Sequence, residues 1–210
     1  MIDPLKKWVT EVPAGIPPED LTLDRYQLAI FERDYPAAER FLREIPAKML
    51  LNESGHSKLM NEALLAVARG TDAATVESAL VAAREETEKL LADDPANFRL
   101  HGELGLIDAF RGRKEDAIRE GRRWLEFEKE SPLEKNDAAA NLAVIYARTG
   151  EPDEAIKLIE KLLTLPANLS YMRHSSMTQA DLKWRWVWDP LRSDPRFQKI
   201  LKGPEPKTIY

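Results

Sequence analysis

Apolar positions along the chain recur mostly at three- and four-residue spacing, and the alternation typical of strands is nearly absent. The stretches that carry this pattern are rich in Ala, Leu, Glu, Lys and Arg, which favours amphipathic helices of about 10–20 residues. Helix-breaking residues recur between the stretches: Pro36, Pro46, Gly70, Pro95, Gly112, Pro132, Gly150, Pro152 and Pro166. The pattern therefore predicts an all-α fold.

One set of small and apolar residues recurs after 38 positions. The two sets are Leu104-Gly105, Gly112, Ala117-Ile118 and Leu125, and then Leu142-Ala143, Gly150, Ala155-Ile156 and Leu163. Two antiparallel helices approach closely where small side chains meet, as Gly105 and Ala117 would. A glycine suits the left-handed conformation that ends a first helix. The spacing predicts helix pairs that stack on one another, because one pair cannot bury its apolar face alone.

The second set resembles the tetratricopeptide repeat, with Leu142-Ala143 followed by Tyr146, Gly150 and Ala155. The first set departs from the family at Asp108, where Tyr is usual, and the 38-residue period exceeds the family's 34 or so. The resemblance implies a right-handed α-solenoid of antiparallel helix pairs. Its expected units are repeats over 1–166, divided as 21–46, 57–95, 96–132 and 134–166, and a C-terminal capping segment over 167–210.

The segment from Trp188 to Phe197 resembles the C-terminal cap of tetratricopeptide regions in large bacterial signalling proteins. This resemblance implies the regulatory or sensory arm of such a protein and a chain that is the C-terminal part of a longer one. A cap needs one apolar side, which these residues would provide: Met177, Leu182, Trp186, Leu191, Phe197 and Leu201. On a continuous helix, Trp184 and Trp188 would share a face and Trp186 would point elsewhere.

The resemblance also implies a partner-binding groove lined by the first helix of each pair. The residues at its strongest positions are Arg99, Glu103, Leu106, Phe110, Asn141, Val144 and Arg148, and the wider set adds Gly102, Ala109, Asp137, Ala140 and Ala147. Family members that bind acidic peptide C-termini use a basic clamp at such positions, which Glu103 and Asp137 oppose here. We therefore expect an apolar centre with a mixed polar rim, suited to a helix or an extended peptide. This groove predicts that Val144→Glu weakens partner binding while leaving helicity intact.

Composition narrows the possible partners and the compartment. The net charge of −5 disfavours nucleic acid, although residues 183–210 carry +4 and are expected to dock on the acidic remainder. No apolar run approaches the ~20 residues that span a bilayer, so no membrane partner is expected. The absence of cysteine excludes disulfides and thiolate sites. The N-terminus lacks signal-peptide order, and cytoplasm is the expected location.

The sequence predicts neither catalysis nor a cofactor or metal. His56, His101 and His174 do not form a metal-type motif, and 54–57 lacks the strand and glycines of a nucleophile elbow, which favours a turn and helix cap. A basic cluster comprises Arg111-Gly112-Arg113-Lys114 with Arg119, Arg122 and Arg123. It is interpreted as a solvated face with partners such as Glu115, and contact with an acidic partner or a phosphate is the alternative.

The expected function is a protein–protein interaction scaffold, and two alternatives stay open. One is a helical-repeat enzyme or small-ligand domain with a pocket near the C-terminal cap, where Tyr171, Arg173 and His174 would be the nearest polar groups. The other is self-association into a homo-oligomer through incompletely capped ends. An open groove would favour the scaffold, and a pocket with converging polar groups would favour the small-ligand domain.

Overall fold

The structure, a computed structural model, describes residues 2–11, 17, 21–54, 56–128, 136–164 and 177–204. The regular elements of these ranges are twelve α-helices and a 3₁₀ helix, without a strand, so the predicted all-α class is confirmed for this part of the chain. The elements are α1 (Ile2–Thr10), α2 (Thr22–Glu32), α3 (Tyr35–Glu44), α4 (Ala47–Ser54), α5 (Lys58–Arg69), α6 (Ala73–Asp93), α7 (Arg99–Phe110), α8 (Lys114–Glu128), α9 (Asp137–Arg148), α10 (Pro152–Leu163), α11 (Gln179–Trp184), the 3₁₀ helix (Trp186–Leu191) and α12 (Pro195–Lys202).

Side-chain caps and glycines set many of the helix ends. Asp34, Ser57 and Asp72 each accept a hydrogen bond from a backbone N–H in the first turn of the helix that follows. The expected N-cap before α5 is therefore confirmed at Ser57. Gly112 and Gly150 follow α7 and α9 with φ of 74° and 76°, in the left-handed region that was predicted for them.

Four pairs of consecutive helices are joined by short turns: α2 with α3, α5 with α6, α7 with α8, and α9 with α10. Each pair also packs on its neighbour in the chain, through α3 against α5, α6 against α7, and α8 against α9. In addition, α7 packs directly on α9. The first helices of the last two pairs therefore lie side by side.

Two glycines let α7, α8 and α9 approach closely. A Cβ added at Gly105 would lie 2.8 Å from Cδ1 of Ile145 and 3.0 Å from the carbonyl oxygen of Ala117. A Cβ added at Gly121 would lie 2.7 Å from the same Ile145 atom and 2.9 Å from Cδ1 of Leu142. The expected contact of Gly105 with Ala117 is thus confirmed, and Gly121 makes a second close contact that the repeat pattern did not indicate.

The larger of two hydrophobic clusters runs from α5 to the C-terminal segment, here defined as residues 177–204. Leu182, Trp188 and Phe197 of that segment are fully buried in it. The smaller cluster joins α2, α3 and Leu65 of α5. The C-terminal segment is therefore part of the main core of the described chain.

The tryptophans of this segment differ from the expectation of one continuous helix. Arg185 is extended, with φ of −71° and ψ of 128°, and it separates α11 from the 3₁₀ helix. As a result Trp186 and Trp188 are both buried, whereas Trp184 is 41% exposed. The predicted shared face of Trp184 and Trp188 was wrong, because the helix that would create it is interrupted.

Candidate functional site

The groove positions on α7 have counterparts on α9. Arg99, Glu103, Leu106 and Phe110 are matched one repeat period later by Asp137, Asn141, Val144 and Arg148. All of these except Arg148 line one cavity of about 140 Å³. The structure thus brings together Arg99, Glu103, Leu106, Phe110, Asn141 and Val144 of the predicted groove. Of the wider set, Asp137 and Ala140 also line the cavity, and Gly102, Ala109 and Ala147 are buried elsewhere.

Another part of the cavity wall comes from the C-terminal segment. Met177, Asp181, Arg185, Val187 and Trp188 line the same cavity as the residues of α7 and α9. The groove expected to be an open surface is therefore partly closed by the chain itself. The predicted groove did not include these residues, although the alternative of a pocket near the C-terminal cap placed a site beside this segment.

Arg148 lies where the 3₁₀ helix crosses α9. Its Nε donates to the carbonyl oxygen of Val187 at 3.0 Å, and its Nη2 donates to that of Trp186 at 2.6 Å. Its guanidinium also lies over the rings of Phe110 and Trp186. Burial lowers the pKa of Arg148 to about 10, so it stays cationic at neutral pH. Arg148 was predicted to contact a partner, but in this structure its donors hold the C-terminal segment.

Glu103 is only 4% exposed and is held by two side chains. Its Oε2 lies 2.9 Å from Nδ1 of His56, and its Oε1 accepts a hydrogen bond of 2.7 Å from Thr87 Oγ1. His56 also lines the cavity. His56 and Glu103 are 47 residues apart in the chain, so no local pattern in the sequence indicated this pairing.

Two buried polar atoms on neutral side chains of the cavity lining have no hydrogen-bond partner among the described residues. They are Oδ1 of Asn141 and Nε1 of Trp188, and the Trp188 side chain is only 1% exposed. An unsatisfied buried donor or acceptor costs about 1–3 kcal/mol, and such atoms are rare in folded proteins. The residues that line the cavity therefore include one acceptor and one donor that lack a described partner.

The charges around the cavity are largely matched by one another. Arg185 lies 3.7 Å from Asp181. Burial raises the pKa of Asp181, and the charge of Arg185 offsets part of this rise. Glu103 faces His56. Arg99, in the first turn of α7, makes no ion pair with any residue that the structure describes.

The basic cluster in the turn between α7 and α8 and on α8 forms ion pairs with acids of the same chain. Arg119 pairs with Asp116 at 2.5 Å and with Glu120, and Lys114 pairs with Glu151. Arg111 pairs with Glu77 at 2.5 Å. These ion pairs support the interpretation of a solvated face, with Asp116 rather than the expected Glu115 as the helical partner of Arg119.

The described ranges contain no group of three or more His, Asp or Glu side chains placed to hold a metal ion. Among the helices they include, none is long and apolar enough to cross a bilayer. Tyr171, Arg173 and His174, expected near a ligand pocket, lie outside the described residues.

Comparison of the chain with protein-family models, curated proteins and solved structures finds no match. The tetratricopeptide resemblance therefore stays a prediction that depends on the repeated residues themselves.

Proposed function

We propose that this chain is a tetratricopeptide-like scaffold that binds a partner protein and accepts one projecting group of that partner in the cavity. The observation that carries the proposal is the pair of unpartnered buried atoms, Asn141 Oδ1 and Trp188 Nε1, on residues that line a cavity at the predicted groove positions. Polar atoms buried without partners reduce stability, so their presence favours a binding role over a purely structural one.

The packing of the helices supports the solenoid part of this proposal. Each helix pair from α2 to α10 contacts the next pair along the chain, and α7 lies against α9. A right-handed stack of such pairs would place the first helices on its concave side. In this arrangement the C-terminal segment would serve both as the cap and as one wall of the binding site.

The covered end of the groove limits what a partner can insert. Phe110 and Arg148 pack against Trp186 of the 3₁₀ helix, with the Phe110 and Trp186 ring centroids 5.5 Å apart. A partner helix lying along the whole groove would have to displace this contact. We therefore favour a side chain or a tight turn that enters beside Leu106, Asn141 and Val144.

The contacts of the acids support binding without catalysis. The Glu103 carboxylate is held by Thr87 and His56, and Asp181 faces Arg185. In the proposal these carboxylates shape the cavity rather than transfer protons. The scaffold would act in the cytoplasm, as the regulatory arm of a larger signalling protein.

The Val144→Glu variant is a poor test of this site. Val144 is only 6% exposed, so glutamate would bury a charge and destabilise the fold. Trp188→Phe is better, because it removes the unpartnered N–H while keeping an aromatic ring. Trp184→Phe is the control for the same substitution at an exposed position that does not line the cavity.

The test is affinity capture from a cell extract with the wild-type chain and both variants, followed by mass spectrometry and by binding measurements on the purified candidate partner. We expect one protein to bind wild type and Trp184→Phe, and to bind Trp188→Phe about tenfold more weakly, as expected for a lost buried hydrogen bond. Equal binding to all three chains would contradict the role of the cavity. Absence of any selective partner would contradict the scaffold proposal.

A second function is favoured by the wall that the C-terminal segment adds. A cavity of about 140 Å³, lined by residues of α7, α9 and that segment, could enclose a free small molecule. Native mass spectrometry of the protein purified from its own cells distinguishes the two functions. A bound small molecule that is lost in Trp188→Phe would favour the small-ligand domain.

A further inference from the structure

We propose that the cavity selects a neutral planar group that both donates and accepts a hydrogen bond, such as a carboxamide or a lactam, bound between Asn141 and Trp188. This inference rests on the proposed function only in taking the same cavity as the binding site. It adds the chemistry of the group that enters.

The two unpartnered atoms set the first requirement that a bound group must meet. Trp188 Nε1 can only donate, so a bound group must offer an acceptor. Asn141 Oδ1 can only accept, so the group must also offer an N–H or O–H. A carboxamide satisfies both atoms through its carbonyl oxygen and its N–H. A ketone would leave the acceptor of Asn141 unsatisfied.

The charge distribution supplies the second requirement. Arg185 and Asp181 are paired within the C-terminal segment, and Glu103 is held by His56 and Thr87. A ligand charge placed among these pairs would lose its hydration without gaining a new counterion. A neutral group avoids this cost. The competing possibility is an anion drawn to Arg99 and to the N-terminus of α7, where Phe98 supplies no side-chain cap.

The walls supply the third requirement. Leu106 and Val144 are apolar, and the aromatic side chain of Trp188 is also among the lining residues. A flat group with a short apolar stem matches this combination of apolar walls and two polar atoms. The side chain of Asn or Gln in a partner and a free small amide share this chemistry.

The test is a ¹H–¹⁵N NMR titration of the full chain that follows the indole N–H signals of its five tryptophans. The probe is δ-valerolactam. Cyclohexanone is the matched six-membered ring with an acceptor and no donor, and pentanoate supplies an anion on a similar apolar stem. The Trp188 signal is assigned by its loss in Trp188→Phe, and the exposed Trp184 is the internal control.

The expected result is a saturable shift of the Trp188 signal with the lactam, at least about fivefold tighter than with cyclohexanone or pentanoate. Asn141→Leu should weaken lactam binding about tenfold. A protein that keeps its cooperative unfolding transition shows that this loss is not caused by misfolding. No saturable shift, equal binding of cyclohexanone, tighter binding of pentanoate, or unchanged lactam binding in Asn141→Leu would each overturn the inference.

A second titration distinguishes the two sources of the amide. N-acetyl-glutaminamide is compared with N-acetyl-methioninamide, which has the same backbone amides and no side-chain amide. Tighter binding of the glutamine compound favours a partner side chain, and binding of the lactam alone favours a free small amide. These titrations contain no partner protein, so their failure overturns the ligand chemistry while the capture experiment decides the scaffold proposal separately.

Discussion

The two sides of α9 differ in how completely they are packed. On one side, Leu142 and Ile145 contact the α7 and α8 backbones so closely that Gly105 and Gly121 have no room for a Cβ. On the other side, Asn141 and Val144 face a cavity, and the amide oxygen of Asn141 has no described partner. The same helix therefore combines close packing with an unfilled polar site. The difference indicates that the cavity is not the result of a poorly formed core.

The largest expected loss of stability comes from a substitution at Leu142, on the packed side of α9. This residue is 2% exposed and belongs to the main hydrophobic cluster. Leu142→Asn should lower the free energy of unfolding by at least about 3 kcal/mol, because it removes buried apolar volume and adds an unsatisfied amide. Urea denaturation followed by circular dichroism measures the change. A loss below about 1 kcal/mol would contradict the close packing of this side.

A smaller effect is expected at Gly105. Gly105→Ala places a methyl group 2.8 Å from Ile145 Cδ1, and overpacking of this kind costs about 1–3 kcal/mol. The better helix propensity of alanine stabilises the fold by about 1 kcal/mol, so we expect the free energy of unfolding to fall by about 1 kcal/mol in total. Ile145→Val removes the contacted methyl and should reduce the penalty of the alanine in a double-mutant cycle. If the two substitutions changed the free energy of unfolding additively, that result would contradict the close contact between position 105 and Ile145.

Much of the packed side could be predicted from the sequence, because its signals are local. Gly105 and Ala117 belong to consecutive helices of one pair, and Gly112 and Gly150 end helices by their own conformational preference. Repetition of these features one period later indicated which helices would pack together. The helical periodicity and the regularly spaced helix-breaking residues were sufficient to predict the all-α class.

The cavity side could be predicted only in part. The family positions identified the residues of α7 and α9, but the wall from the C-terminal segment depends on long-range contacts that leave no pattern in the chain. Arg148 binds the carbonyl of Trp186, far along the chain, and Arg33 at the end of α2 binds Asp189 in the 3₁₀ helix. Pro190 did not indicate where the helix is interrupted, because it lies inside the 3₁₀ helix, after the break at Arg185.

Asn141 is next to Leu142 in the chain but lines the cavity. Asn141→Leu replaces an unpartnered buried acceptor by an apolar side chain, so the free energy of unfolding should stay unchanged or rise by up to about 1 kcal/mol. This variant and Leu142→Asn form a reciprocal pair with opposite expected signs, measured by the same urea denaturation. A loss above about 1 kcal/mol in Asn141→Leu would show that the amide already has a structural partner, and would weaken the case for a ligand.

The smallest expected effect concerns an outer contact of the cavity wall. Arg33 ends α2 with φ of 60°, where Gly70, Gly112 and Gly150 end the first helices of the later pairs. Its Nη2 lies 2.7 Å from Oδ1 of Asp189 in the 3₁₀ helix, and both side chains are exposed. The left-handed conformation costs a non-glycine residue about 1–2 kcal/mol, and an exposed ion pair contributes about 0–1 kcal/mol.

Arg33→Gly should therefore change the free energy of unfolding by no more than about 0.5 kcal/mol, because relief of backbone strain offsets both the lost ion pair and the greater freedom of glycine in the unfolded chain. Asp189→Asn is the control, since it weakens the ion pair while the strain remains, and it should be the less stable of the two variants. A loss above about 1 kcal/mol in Arg33→Gly, beyond what an exposed ion pair contributes, would mean that this contact holds the C-terminal segment on the groove. The cavity wall would then depend on an exposed ion pair as well as on its buried core.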